Sequence, residues 1–431
     1  MTTPGWQVSA SLGDLTAELD RLLAVADAEL ASGYPDDLGW QPIHTAYVPA
    51  HKFEPGTAAD WGAQALATLG EFAPGPAELA LGTGLAPEVA EQVYPLVRAK
   101  LASQPVEDLR IDFEDGYGTR ADDTEDAHAR AAARSLAEAL RQDAEPPLYG
   151  VRCKSLERAT RHRAIRTLRE FLAALLENGR PLPHGFVITL PKVTSAAQVS
   201  AMGVLCEGLE KAFGVRYPLR LVFEIQVETS QVILGPDGAA TIARCLHAAP
   251  GRLRGLHFGT YDYSAALGIA AAHQSLEHPA ADHAKAVMQV AAAGTGVLLS
   301  DGSTNVLPVG SRDDVLAGWR LHAQLVRRSL ERGFYQGWDL HPAQLVSRYA
   351  ATFAFYREGM AVACDRLRAS AARSASGQEE PATVRALADF LSRGRDCGAL
   401  TDQEITDRTG LTRGDLRHAR RRGIVYSPDP P

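Results

Sequence analysis

The 431-residue chain is 45% hydrophobic and 22% charged, with a net charge of −8. This is a soluble globular composition with a large core, and its acidic balance argues against a protein built mainly to coat nucleic acid or an anionic membrane. The five cysteines, Cys153, Cys206, Cys245, Cys364 and Cys397, show no CxxC spacing, which points to a reducing cytoplasm rather than a disulfide framework or a zinc site.

The first residues, MTTPGWQVSASLGDL, have no basic start followed by an apolar run. No apolar stretch reaches ~18 residues, so neither a signal peptide nor a membrane span is expected. LGDLTAELDRLLAVADAELAS (12–32) carries leucine and alanine at helical spacing, with Asp14 as N-cap, and forms an N-terminal helical extension over 1–42. Eight strand signals follow: HTAYVP (44–49), LRIDFED (109–115), LYGVRCK (148–154), FVITLPK (186–192), LRLVFEIQVE (219–228), GLHFGTYD (255–262), VLLSD (297–301) and WDLHP (338–342). Helical patterns separate them over 86–101, 124–143, 156–178, 196–213, 239–248, 281–293 and 312–332, and another follows over 343–368.

Eight strands alternating with helices predict a (β/α)8 TIM barrel over 43–370, with a doubly wound open sheet as the alternative. Polar residues recurring on one strand face favour the barrel. Asp112 and Glu114 alternate with Ile111 and Phe113, Arg152 and Lys154 with Val151 and Cys153, and Glu224, Gln226 and Glu228 with Phe223, Ile225 and Val227. Inward polar groups near the C-terminal strand ends become a barrel's active site. Glu224 and Gln226 lie deeper and need hydrogen-bond partners.

ASAARSASGQEEPA (369–382) reads as a linker, and 383–431 as three short helices forming a small C-terminal module. Gly410 separates two of these helices, with Thr401 and Thr412 as N-caps. Arg413, Arg417, Arg420, Arg421 and Arg422 give the last pair a helix-turn-helix character, offset by Asp402, Glu404, Asp407 and Asp415. A helical cap or oligomerisation arm is favoured, and a DNA-binding or regulatory protein is the alternative function.

Glu228 and Asp262 each close a strand, and neighbouring parallel strands lie ~4.8 Å apart. Two carboxylates so placed share one hard cation, or else cap helices and pair with arginines. Arg152 either holds a substrate carboxylate or pairs with Asp112 or Glu114. Glu114 and Asp115 offer a base or an orienting acid. Lys192 binds an anion or forms a Schiff base, and His341 binds substrate or fixes a neighbour. Candidate general bases are Asp115, His51, Asp301 and Asp339. No GxxxxGK[ST], GxSxG or HExxH motif is present.

The ordered motifs YVPAHK (47–52), RIDFEDGYG (110–118), GVRCKS (150–155), ITLPKVTSAAQV (188–199), EIQVETS (224–230), HFGTYDYSAALG (257–268) and GWDLHPAQL (337–345) resemble the citrate lyase β-subunit and malyl-CoA lyase family. That family shows D-L-E-D, V-R, L-P-K-V, I-E-T, F-G-x-x-D-L and I-H-P-x-Q patterns. The resemblance implies a Mg2+-dependent (Mn2+ as substitute) carbon–carbon lyase acting on a small keto or hydroxy acid or its CoA thioester, as a homo-oligomer. It implies Glu228 and Asp262 as metal ligands, Arg152, Lys192, Gly259 and His341 as substrate contacts, and Glu114 and Asp115 beside Arg152 in catalysis. YVPAHKFEPG replaces the family's Pro-Gly-Asn/Ser-Arg turn, and GPDGAA lengthens the Glu228–Asp262 spacing, as in a divergent branch.

Overall fold

A computed structural model describes residues 12–34, 39–142, 146–216, 218–374 and 381–423. Helix α1 (Leu12–Gly33) starts ahead of Asp14, which therefore lies within the helix rather than at its N-cap. Then come β1 (His44–Pro49), α2 (Thr57–Phe72), α3 (Pro76–Thr83), α4 (Pro87–Ser103), β2 (Asp108–Asp112), α5 (Asp122–Arg141), β3 (Leu148–Arg152) and α6 (Arg161–Leu175). The second half runs through β4 (Phe186–Leu190), α7 (Ala196–Phe213), β5 (Val222–Val227), α8 (Ser230–Ile233), α9 (Thr241–His247), β6 (Leu253–Phe258), α10 (Thr260–Ala266), α11 (Pro279–Ala292), β7 (Leu298–Ser300), α12 (Arg312–Glu331) and β8 (Gly337–Asp339). Four helices end the chain: α13 (Gln344–Ser374), α14 (Pro381–Asp396), α15 (Asp402–Thr409) and α16 (Arg413–Arg422).

The strands are parallel and ordered β7-β6-β5-β4-β3-β2-β1-β8. The ring closes where the Asp301 amide donates to the Gln336 carbonyl at 2.8 Å and the Trp338 amide to the Gly302 carbonyl at 3.2 Å. The fold is the (β/α)8 barrel that the alternation predicts, not an open sheet. Ala46, Ile111, Val151, Ile188, Ile225 and Leu256 are fully buried in the apolar layer. The alternate residues fill the interior. Arg110 on β2 reaches across it to Glu224 on β5, with Nε 3.1 Å from Oε1 and Nη2 2.9 Å from Oε2.

This lower layer supplies partners for Glu224, whereas the Nε2 of Gln226 is buried without a hydrogen-bond partner. Glu224 also accepts from Thr189 Oγ1 at 2.5 Å and contacts His257 Nε2 at 3.1 Å. Arg110 also pairs with Asp108, which accepts from Thr45 Oγ1 at 2.9 Å. Mutual pairing makes such buried charges tolerable.

Several strands stop earlier than expected, which changes the rim. The expected strand 109–115 ends at Asp112, because that carboxylate accepts the Glu114 amide on Oδ1 and the Gly116 amide on Oδ2, both at 2.9 Å. The chain is thereby curled into a turn. The expected strand 255–262 ends at Phe258, so Asp262 stands in the first turn of α10 rather than at a strand end. Of the expected linker 369–382, residues 369–374 continue α13, 381–382 open α14, and 375–380 lie outside the described residues.

Helix α13, about 46 Å long at 1.5 Å per residue, packs against α4, α12 and α14. Phe390 of α14 places its ring 5.5 Å from that of Phe355 and 5.1 Å from that of Tyr356. Thr401 and Thr412 cap α15 and α16 through reciprocal bonds with Glu404 and Asp415, and Gly410 takes the left-handed conformation between them. Among the described residues, no helix is long and apolar enough to cross a membrane.

Candidate functional site

At the C-terminal mouth of the barrel is a cavity of about 420 Å3, lined by Asp112, Asp115, Arg152, Glu228, Gly259 and Asp262, with Tyr47 and Trp338 among the remaining wall residues. A larger cavity of about 540 Å3 lies at the opposite end, where Asp108, Arg110 and Glu224 are already paired with one another. Barrel chemistry occurs at the C-terminal face, so the smaller cavity is the candidate site.

Arg152, the last residue of β3, is gripped by a two-bond fork. Its Nε lies 2.6 Å from Asp112 Oδ1 and its Nη2 2.7 Å from Oδ2. Its Nη1 stands 3.3 Å from Glu114 Oε2, 4.0 Å from Asp115 Oδ2 and 3.4 Å from Gln226 Oε1. The guanidinium lies 4.8 Å from the centroid of the Tyr47 ring. The ion pair with Asp112 is therefore present, and Arg152 still reaches the cavity.

Glu228 follows β5 directly and is almost wholly buried. Its Oε1 accepts the Lys192 amide at 2.7 Å. Gly259, at the end of β6, leaves the space the carboxylate needs. A Cβ there would lie 2.5 Å from Glu228 Cβ and 2.7 Å from Oε2. Burial, against the pull of Lys192, pushes the Glu228 carboxyl up to about 7. Burial likewise pushes Glu114 up to about 8, against Arg152. For Asp115 burial is outweighed by its hydrogen bond with Glu114 and by the charges of Lys192 and Arg152, so that acid stays low.

Lys192 stands among these acids. Its Nζ is 2.5 Å from Asp262 Oδ2, 3.3 Å from Asp115 Oδ2, 3.4 Å from Glu114 Oε1 and 3.5 Å from Glu228 Oε1. Burial alone would lower its pKa, yet Glu228 and Glu114 raise it far above the usual lysine value. Five carboxyl groups, counting Asp112, thus surround two cations, Lys192 and Arg152, and with Glu114 protonated at neutral pH four of them can carry charge. That surplus suits a divalent cation. Among the described residues no group of three or more His, Cys, Asp or Glu side chains is arranged to hold a metal ion. This is compatible with Mg2+, which takes one or two carboxylates and keeps positions for water and substrate oxygens.

A model of a domain of unknown function, DUF6986, matches residues 23–424. The chain belongs to the DUF6986 family. No curated protein matches its sequence. Among solved structures, a citrate lyase from Burkholderia xenovorans LB400 is similar at 19% identity, with 86% of this chain and 97% of that chain covered and a TM-score of 0.57. Protein CitE from Mycobacterium tuberculosis, in complex with magnesium and acetoacetate, is 18% identical over 72% of this chain and 89% of that one, with a TM-score of 0.41. Malate synthase from Haloferax volcanii is 14% identical over 88% and 97%, with a TM-score of 0.46. At such identities the likeness to the Burkholderia structure establishes a shared barrel fold.

Within this DUF6986 barrel, Arg152, Asp115, Gly259, Glu228 and Asp262 line one mouth, and Glu114 and Lys192 contact these wall residues without lining the cavity themselves. His341 does not line the cavity; its Nδ1 accepts the Ala343 amide at 3.2 Å, just ahead of α13. Asp301 is buried against Lys285 Nζ at 3.0 Å and Ser329 Oγ at 2.6 Å. Asp339 is buried against His44 Nδ1 at 2.7 Å and Arg348. His51 is exposed beside Arg120 and outside the cavity wall. Sequence reasoning missed Tyr47 and Trp338, whose rings lie 4.9 Å apart in the wall. The inward phase of Tyr47 in HTAYVP was legible. Trp338 had no such signal, because β8 has only three residues.

Proposed function

We propose that the protein is a divalent-cation-dependent carbon–carbon lyase of aldolase or Claisen type, acting on a 2-keto or hydroxy acid or its CoA thioester. The observation that carries this reading is the meeting of Glu228, Asp262 and Arg152 around one cavity at the barrel mouth. Glu228 and Asp262 would hold Mg2+ or Mn2+. When bound there, the cation supplies Lewis-acid polarisation of substrate oxygens.

The chain's own groups do the rest. Arg152, fixed by Asp112, keeps a positive charge beside the developing oxyanion without having to reorient. Asp115, ionised and at the mouth, takes the substrate hydroxyl proton in the cleavage direction. Glu114, whose pKa is about 8, holds a proton at neutral pH that it delivers to the enolate. Two acids pushed apart in pKa divide base and acid roles in this way. Residues 43–370 act as the catalytic barrel and α14–α16 (Pro381–Arg422) as its helical cap. The five cysteines, all buried and unpaired, suit a reducing cytoplasm. The Burkholderia neighbour carries the name of a citrate lyase, the same class of reaction, and at 19% identity supports the barrel.

The test is the double variant Glu228→Gln, Asp262→Asn. Mg2+-dependent cleavage of 2-keto and hydroxy acids, assayed with and without coenzyme A, disappears while the thermal midpoint stays near wild type. Retained turnover overturns the reading.

A further inference from the structure

Lys192 has a geometry that the lyase reading leaves unexplained. Its φ of 52° puts a long side chain in the left-handed region, which disfavours every residue with a Cβ. Strain of this kind persists where the surroundings over-determine it, and it gathers at functional sites. Here one backbone conformation does two things. It aims the Lys192 amide at Glu228 Oε1, 2.7 Å away. It also turns the side chain over the same acid, so that Nζ touches carboxylates from the β2 loop, the end of β5 and the first turn of α10. The ammonium bridges Asp262 Oδ2 at 2.5 Å and Glu228 Oε1 at 3.5 Å.

We infer that Lys192 is a displaceable counter-ion of the acidic cluster: its ammonium lies between Glu228 and Asp262, the two acids that would hold a divalent cation, and would have to leave for that cation to bind. The inference rests on the lyase reading for the entry of a cation at this point. An ammonium and a divalent ion cannot share the same two carboxylates at contact distance, because like charges that close repel each other. Lys192 is therefore a positioning residue with two parts. Its amide stays on Glu228 and keeps that ligand oriented, while its flexible stem lets the ammonium swing away without unfolding the strand end. The displaced ammonium loses its carboxylate partners, and an incoming substrate carboxylate replaces them. Cation and anionic ligand consequently bind with positive, reciprocal coupling.

The experiment titrates Mn2+ into the full chain, followed by electron paramagnetic resonance and calorimetry, with and without oxalate. Lys192→Gly retains the amide, accepts the left-handed backbone and removes the ammonium. Lys192→Arg retains the charge. Thermal unfolding checks each variant, and Lys192→Asn, which also tolerates positive φ, replaces the glycine variant if it does not fold. Without oxalate, Lys192→Gly binds Mn2+ at least about tenfold more tightly than wild type, a difference of one decade in Kd, whereas Lys192→Arg shows no gain. Oxalate tightens Mn2+ binding more in wild type than in Lys192→Gly. Equal or weaker binding by Lys192→Gly, or an equal gain in Lys192→Arg, overturns the counter-ion role and leaves the lyase reading standing. Absence of Mn2+ binding in every variant, wild type included, overturns both.

Discussion

Glu228 shows at the scale of one residue how burial creates a reactive acid. Desolvation disfavours its charge and lifts its pKa to about 7, although Lys192 pulls the other way. A cation and a proton compete for that carboxylate, so Mn2+ affinity falls as pH falls through 7. Between pH 8 and pH 6 the loss is expected to be about tenfold, read by titration at fixed ionic strength. A pH-independent affinity would show that Glu228 is not a ligand. The acid itself was legible, as the end of a faultless alternation in FEIQVETS. Its environment was not, because the amide from Lys192 and the gap at Gly259 come from other strands.

At the scale of elements, β8 and α13 are joined by a buried polar knot that sequence reading took for possible catalysis. Asp339 contacts His44 at 2.7 Å, Arg348 at 3.0 Å and His322 at 3.3 Å. Burial opposes its charge, yet Arg348, His322 and His44 hold it far below the usual carboxylate range. Asp339→Asn leaves Arg348 buried without its counter-charge and costs about 3–5 kcal/mol of stability by urea unfolding. The knot also sets an acid limit. Burial lowers the His322 pKa, so the fold prefers the neutral imidazole. Its contribution is complete above the unfolded value of about 6.5 and is lost as pH falls below it. Asp339 adds a second loss at lower pH, below the unfolded carboxylate value of about 3.9. Urea midpoints therefore decline from pH 7 to pH 5, and His322→Gln flattens that decline. Where elements end was the least legible feature. Asp112 stops β2 by accepting two downstream amides, a local competition that periodicity does not register.

At the scale of the molecule, an apolar shell surrounds a polar interior, and α14–α16 extend the shell over α13. Phe390 holds this junction, since its ring meets both Phe355 and Tyr356. Phe390→Ala is expected to lower stability by about 3 kcal/mol, and unchanged unfolding would show that the terminal helices dock without it. The sequence by itself determined the eight-strand alternation, the inward phase of Arg152 and Glu228, and the caps at Thr401 and Thr412. Each follows from local periodicity or from a side chain reaching only three residues along its own chain. Only the tertiary structure decided that Asp262 approaches from a helix, that Asp339 and Asp301 are neutralised away from the mouth, and that Lys192 sits among four carboxylates. Such distances join residues tens to hundreds of positions apart. They exist only once the ring has closed, and spacing along one strand carries no record of them.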